Sequence, residues 1–186
     1  MKWIVKNVPA FRSIEHLKAS IPRLIVVEDR IRNAMDTFRL GLAEAGTEAS
    51  LQMQDDIILC KDFMQQVEAE IKQHPNDVIQ FFSRKERDAE LGSRYMAGRT
   101  FMFNQCVYFP AGISADLLKY AENPKIGIWR GWDKDPTGDD LIVADYLRIN
   151  KRKYWLVVPN LCDHAQTESL INSRRSRYRQ SLTFKD

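Results

Sequence analysis

Short apolar, β-branched runs alternate along the chain with stretches whose apolar residues recur every three or four positions. The runs Trp3–Val5, Leu24–Val27, Ser50–Met53, Val78–Phe82, Phe101–Phe109 and Tyr154–Val158 read as strands. Between them, Asp29 to Ala45 lines up Ile31, Met35, Phe38 and Leu42 on one helical face, and Gly46 supplies a stop. Phe63 to Gln73 predicts a second amphipathic helix, ending before His74-Pro75-Asn76. A third runs from about Ser114, a plausible N-cap, to Ala121, and a fourth from Asp139 or Asp140 to Leu147. Strand and helix taking turns in this way predicts an α/β fold with a mostly parallel central sheet. Two stretches, 84–99 and 123–138, are rich in charge or in Gly and Pro and read as long loops, which in small domains are often functional.

Composition narrows the class. The chain has 186 residues, 44% hydrophobic and 28% charged, which suffices for one compact domain over 1–186 with a real core. No run approaches the roughly 18 apolar residues that span a bilayer. Charge interrupts Met1-Lys-Trp-Ile-Val-Lys6 before a signal-peptide core develops, so the expectation is a soluble, cytoplasmic protein. Cys60, Cys106 and Cys162 are widely spaced, form no CxxC pair and read as buried thiols. The net charge of +3 conceals an asymmetry: residues 148–186 hold nine Lys or Arg against three acids, a local balance of +6. Arg174, Arg175, Arg177 and Arg179 crowd the basic segment 165–186, suited to a diphosphate, to a nucleic-acid backbone, or simply to solvent.

The candidate chemistry begins at Leu51-Gln-Met-Gln-Asp-Asp-Ile-Ile-Leu-Cys60. Asp55 and Asp56 stand there among apolar residues that read as a buried strand, where adjacent carboxylates repel and lose hydration. They ask for a cation, a helix N-terminus or a hydrogen-bond network. Magnesium or manganese suits such hard oxygen ligands; the plainer alternative is an acid pair capping the helix near Asp62. Two further features carry acids or histidine. Gly138-Asp139-Asp140 opens a helix, where the acids can simply complement its dipole. Pro159-Asn-Leu-Cys-Asp-His164 follows the last strand, and His164 taken alone is an ordinary histidine.

In this order, the strand followed by Asp-Asp, the helix-opening acid pair and the histidine after the last strand resemble the GT-A glycosyltransferases. The resemblance implies a Rossmann-like α/β/α sandwich. It also implies metal-dependent transfer of a sugar from a nucleoside-diphosphate sugar, a UDP-sugar first among them, to an acceptor hydroxyl. By that resemblance Asp56 and His164 hold manganese or magnesium, Asp55 contacts the ribose or sugar, and Asp29, ending the run Leu24-Ile-Val-Val-Glu-Asp29, approaches the base. If the segment Asn104–Gly112 lines the donor pocket, Gln105, or Asn104 beside it, meets sugar hydroxyls; for most of that segment a core strand leading into a helix through a Pro-Gly turn is the plainer reading. Arg174, Arg175 and Arg177 clamp the diphosphate if segment 165–186 folds over the donor site. Asp140, with Asp139 as the alternative, takes the acceptor proton in an inverting step. Gln54 departs from the pattern, standing where the family usually has an acid. Trp129 and Trp132 are candidate stacking platforms for the acceptor. With the basic segment they suit an anionic polymer, for instance a hydroxymethylated base in DNA, as some phage enzymes glycosylate; glycan or lipopolysaccharide assembly is the alternative. From other classes, the same acids can serve a two-metal nuclease or phosphotransferase, and the arginines a non-catalytic nucleic-acid-binding protein.

Overall fold

The structure is a computed structural model that describes residues 1–124, 138–165 and 180–185. The main sheet contains β1 (Lys2–Asn7), β2 (Leu24–Glu28), β3 (Ser50–Gln54), β5 (Val78–Gln80), β6 (Arg94–Ala97), β7 (Cys106–Phe109) and β8 (Lys153–Leu156), in the order β2-β1-β3-β7-β5-β8-β6. Two short strands, β4 (Ile57–Leu59) and β9 (Cys162–His164), form a separate antiparallel pair. The helices are α1 (Glu15–Ser20), α2 (Ala34–Ala45), α3 (Phe63–Gln73), α4 (Glu86–Leu91), α5 (Ile113–Ala121) and α6 (Asp139–Ile149). β1 runs parallel to β2 and β3, and β5 parallel to β8, while β7 and β6 run against their neighbours. Five of the seven strands therefore share one direction, which makes the fold a Rossmann-like α/β arrangement with a mostly parallel sheet.

Period-two alternation sorts side chains onto two faces. Trp3, Val5, Leu51, Met53, Cys106 and Tyr108 pack with Leu17 of α1 and with Phe63 and Val67 of α3. Val107 and Phe109 pack on the other face with Phe38 and Leu42 of α2, Leu117 of α5 and Ile142 and Leu147 of α6. Each fully buried Leu, Ile or Phe contributes about 1.5–3 kcal/mol of apolar transfer. α6 is drawn tightly to the far end of the sheet: a Cβ on Gly98 would lie 2.5 Å from Leu147 Cβ and 2.7 Å from the Arg152 carbonyl. Among the described residues no helix is long and apolar enough to cross a membrane. The three cysteines are buried free thiols, and burial beside Cys106 pushes the Cys162 thiol up.

Several elements differ from the sequence-based expectation. The helix expected from Asp29 begins at Ala34, because the Asn33 side chain accepts from the N–H groups of Met35 and Asp36 and fixes the start there. Ile31 is left 74% exposed. The strand expected over Phe101–Phe109 shrinks to Cys106–Phe109, and 84–99 contains α4 and β6 rather than a loop. α5 is opened by Gly112 in the left-handed region (φ 85°), not by Ser114. β3 stops at Gln54, so Asp55 and Asp56 occupy a turn rather than a continuous strand, and β4 follows at once. They do not cap α3, whose N-cap is Asp62.

Candidate functional site

The C-terminal ends of β1, β2 and β3 share one sheet edge with the start of the reversed strand β7, where Gln54 N donates to Gln105 O at 2.8 Å. Both acid pairs of the sequence lie near the ends of elements reaching this edge.

The first pair sits in the turn between β3 and β4. β4 pairs with β9 so that Ile57 lies opposite His164, and Ala165 N extends the ladder to Asp56 O at 2.7 Å. That pairing brings His164 Nε2 to 3.0 Å from Asp56 Oδ2. From the loop between β1 and α1, one guanidinium nitrogen, Arg12 Nη1, reaches Asp55 Oδ1 at 2.7 Å and Asp56 Oδ2 at 2.6 Å. Val8 N completes Asp55, donating to Oδ2 at 2.7 Å. Asp55, Asp56 and His164 are all buried, yet Asp56 Oδ1 has no hydrogen-bond partner. Burial alone would raise the Asp56 carboxyl; the hydrogen bond and charge of His164, followed by Arg12, outweigh it and hold the group below its ordinary value. Burial correspondingly depresses Arg12, and the two carboxylates more than restore it. The other His164 nitrogen, Nδ1, faces Ala165 O at 2.5 Å. A carbonyl oxygen only accepts, so Nδ1 is the donor there, and the ring is held with Nε2 turned to Asp56.

The second pair opens α6. Asp139 Oδ2 accepts from Lys6 Nζ at 3.1 Å and Asn104 Nδ2 at 2.9 Å, and its Oδ1 accepts from Asp140 N at 3.0 Å. Three of a carboxylate's roughly four lone pairs are thereby engaged. Lys6, opposite Gln54 in the ladder, is buried with its ammonium 5.2 Å from the centre of the Phe38 ring. Asp140 is half-buried, its Oδ1 accepting from Leu141 N. Close to this pair, Asn104 Oδ1 and Gln105 Oε1 are buried acceptors without partners, and Gln52, farther along β3, has both amide atoms unpartnered.

Asp29 lies at the same edge. Its N–H donates to Asn7 O at 2.7 Å and its Oδ1 accepts from Asn33 N at 3.0 Å, so its contacts shape the approach to α2. Trp129, Trp132, Arg174, Arg175, Arg177 and Arg179 lie outside the described residues. Among the described residues, no three His, Cys, Asp or Glu side chains cluster closely enough to hold a metal, and Arg12 stands between the two acids where a third ligand would be sought. A cavity of about 390 Å³, lined by Ser20, Cys60, Lys61, Asp62 and Phe63 among others, touches neither acid pair.

Arg12 and Lys6 are the polar partners that sequence reasoning missed. Lys6 had a signal: a lysine directly after Ile4-Val5 in a buried strand needs an anionic partner. Arg12 had none, since it lies in a loop and meets acids 43 residues away in the chain.

No protein-family model and no curated protein matches the chain. A solved structure, that of A197 from STIV, is similar in fold: the match covers 100% of this chain and 96% of that one, with a TM-score of 0.54 at 12% identity.

Proposed function

We propose that the chain is a glycosyltransferase that moves a sugar from a nucleoside-diphosphate sugar, a UDP-sugar in the simplest case, to an acceptor hydroxyl. The observation that carries this reading is the meeting of Asp56 and His164, residues far apart in the chain that the GT-A resemblance pairs as metal ligands. A hard oxygen and an imidazole suit manganese or magnesium. Their 3.0 Å separation is close to the spacing of neighbouring ligands around an octahedral ion, about 3 Å for bonds of about 2.1 Å. Asp56 Oδ1 adds a buried acceptor without a protein partner. Asp56 and His164 would hold the ion, which when bound supplies positive charge against the departing diphosphate.

The remaining roles fall on the chain's own residues. Asn104 Oδ1 and Gln105 Oε1 lack hydrogen-bond donors, and sugar hydroxyls provide them. Asp139, tied to Lys6 and Asn104, anchors the start of α6; Asp140, next to it and half-buried, receives the acceptor's proton. A hydroxymethylated base in DNA is the acceptor that the basic segment 165–186 suits best, whereas a neutral glycan would draw nothing from that charge. The two-metal nuclease reading has less support, because Asp139 spends its Oδ2 on Lys6 and Asn104.

Thermal stabilisation by UDP, GDP, CMP and their sugar conjugates, with and without manganese, tests the reading on the wild type and on Asp56→Ala. The expected result is a manganese-dependent shift for one nucleotide that disappears in the variant. No shift with any nucleotide would sink the proposal.

A further inference from the structure

We infer that Arg12 is the resident counter-cation of the Asp55–Asp56 pair, and that a divalent metal held by Asp56 Oδ2 and His164 Nε2 displaces its guanidinium from that oxygen. The inference rests on the reading of Asp56 and His164 as metal-holding residues and adds a condition on when they can act. Arg12 Nη1 is shared between Asp55 Oδ1 at 2.7 Å and Asp56 Oδ2 at 2.6 Å, and Asp56 Oδ2 is also the oxygen that His164 Nε2 faces at 3.0 Å. A metal bonded to that oxygen would lie within about 5 Å of the guanidinium charge, in a buried setting where like charges repel far more strongly than in water. Metal and guanidinium are therefore alternatives for one carboxylate oxygen.

The loop that carries Arg12 lies at the surface on both sides of it. A short turn, with Phe11 N and Arg12 N both donating to Val8 O, sets the residue between Phe11 and Ser13, which are exposed. Asp55 keeps its bond from Val8 N when Arg12 leaves, so the turn retains an anchor. A diphosphate offers the freed guanidinium oxygens that it can grip with two parallel bonds. Metal alone then binds weakly, and metal with a diphosphate binds well because each cation has its own anion.

The test is the affinity for Mn²⁺ alone, read from the loss of the free ion's paramagnetic resonance signal, in the wild type, Arg12→Gln, Arg12→Lys and Asp56→Asn. Arg12→Gln should bind Mn²⁺ at least ten times more tightly than the wild type, Arg12→Lys should stay close to the wild type because the charge remains, and Asp56→Asn should remove the site. Unchanged or weaker binding by Arg12→Gln overturns the inference, as does Mn²⁺ binding to no variant. If Arg12→Gln does not fold, the Arg12 side-chain N–H resonance of the wild type, followed by NMR during Mg²⁺ addition, replaces it: saturable movement of that resonance supports displacement, and saturation of metal with the resonance unmoved overturns it. The nucleotide panel fails separately. A tenfold Arg12→Gln effect without any nucleotide shift keeps the cation exchange and removes the glycosyltransferase reading; a manganese-dependent nucleotide shift without the Arg12→Gln effect does the reverse.

Discussion

The two acid pairs look alike as sequence, each an Asp-Asp, and both lie near one edge of the sheet, yet the fold treats them oppositely. Asp55 and Asp56 are both buried and surrounded by cationic or potentially cationic groups, a guanidinium on one side and an imidazole on the other. Asp139 and Asp140 are split: one carboxylate is tied down by an ammonium and an amide, while its neighbour is half-buried at the first turn of α6. On the proposed reading, the first arrangement offers negative charge to an ion and the second ties down one acid beside the other, leaving a single carboxylate for a substrate proton.

The largest effect that can break this comparison is on the reaction itself. Asp140→Asn should lower sugar transfer by about a thousandfold, or about 4 kcal/mol, the middle of the range expected for loss of a general base, while the nucleotide-induced thermal shift stays as in the wild type. Equal loss of both would move Asp140 from proton transfer to donor binding. A smaller effect, of about 3 kcal/mol, is expected for Lys6→Met, which leaves Asp139 without its charged partner in a part-buried position. Urea denaturation should show it, and adding Asp139→Asn should recover much of the loss. A Lys6→Met protein as stable as the wild type would mean that Asp139 is not anchored in this way. The smallest effect separates the first pair by pH. Because the folded Asp56 carboxyl lies below its ordinary value, its contribution to stability is present above about pH 4 and is lost as the pH falls through the folded value. The stability gap between the wild type and Asp56→Asn should therefore shrink as pH is lowered from 6 toward 3; a gap that widens would contradict the assignment.

Much of the fold was legible because its signals are local. α3 appears over the same residues, Phe63–Gln73, that its apolar spacing marks, and β1, β2 and β3 lie where their apolar runs do. What was lost needed distant residues. β4 and β9 are three-residue strands, and Cys162-Asp-His164 has no strand-like composition; it is a strand because Ile57–Leu59 lies opposite. α4 was hidden because Glu-Arg-Asp-Ala-Glu-Leu buries only Asp88, which Ser83 and Arg94 hold by hydrogen bond and ion pair, so no apolar stripe announces it. At the candidate site the acids and His164 could be named from the sequence, since charge inside an apolar context demands an explanation. Arg12, which supplies part of that explanation, was invisible because nothing in a loop sequence says which side chain will cross 43 residues of separation to meet a carboxylate.

The order of Arg12, Asp55, Asp56 and His164 along the chain has a consequence for biosynthesis. A ribosome adding about 5–20 residues per second makes the acid pair roughly 5–20 seconds before the strand that carries His164. Through that interval the two aspartates cannot have their histidine, but Arg12 has already been made. The arginine is thus the partner with which the nascent acid turn can first be neutralised, and the imidazole joins a site whose charge is already balanced.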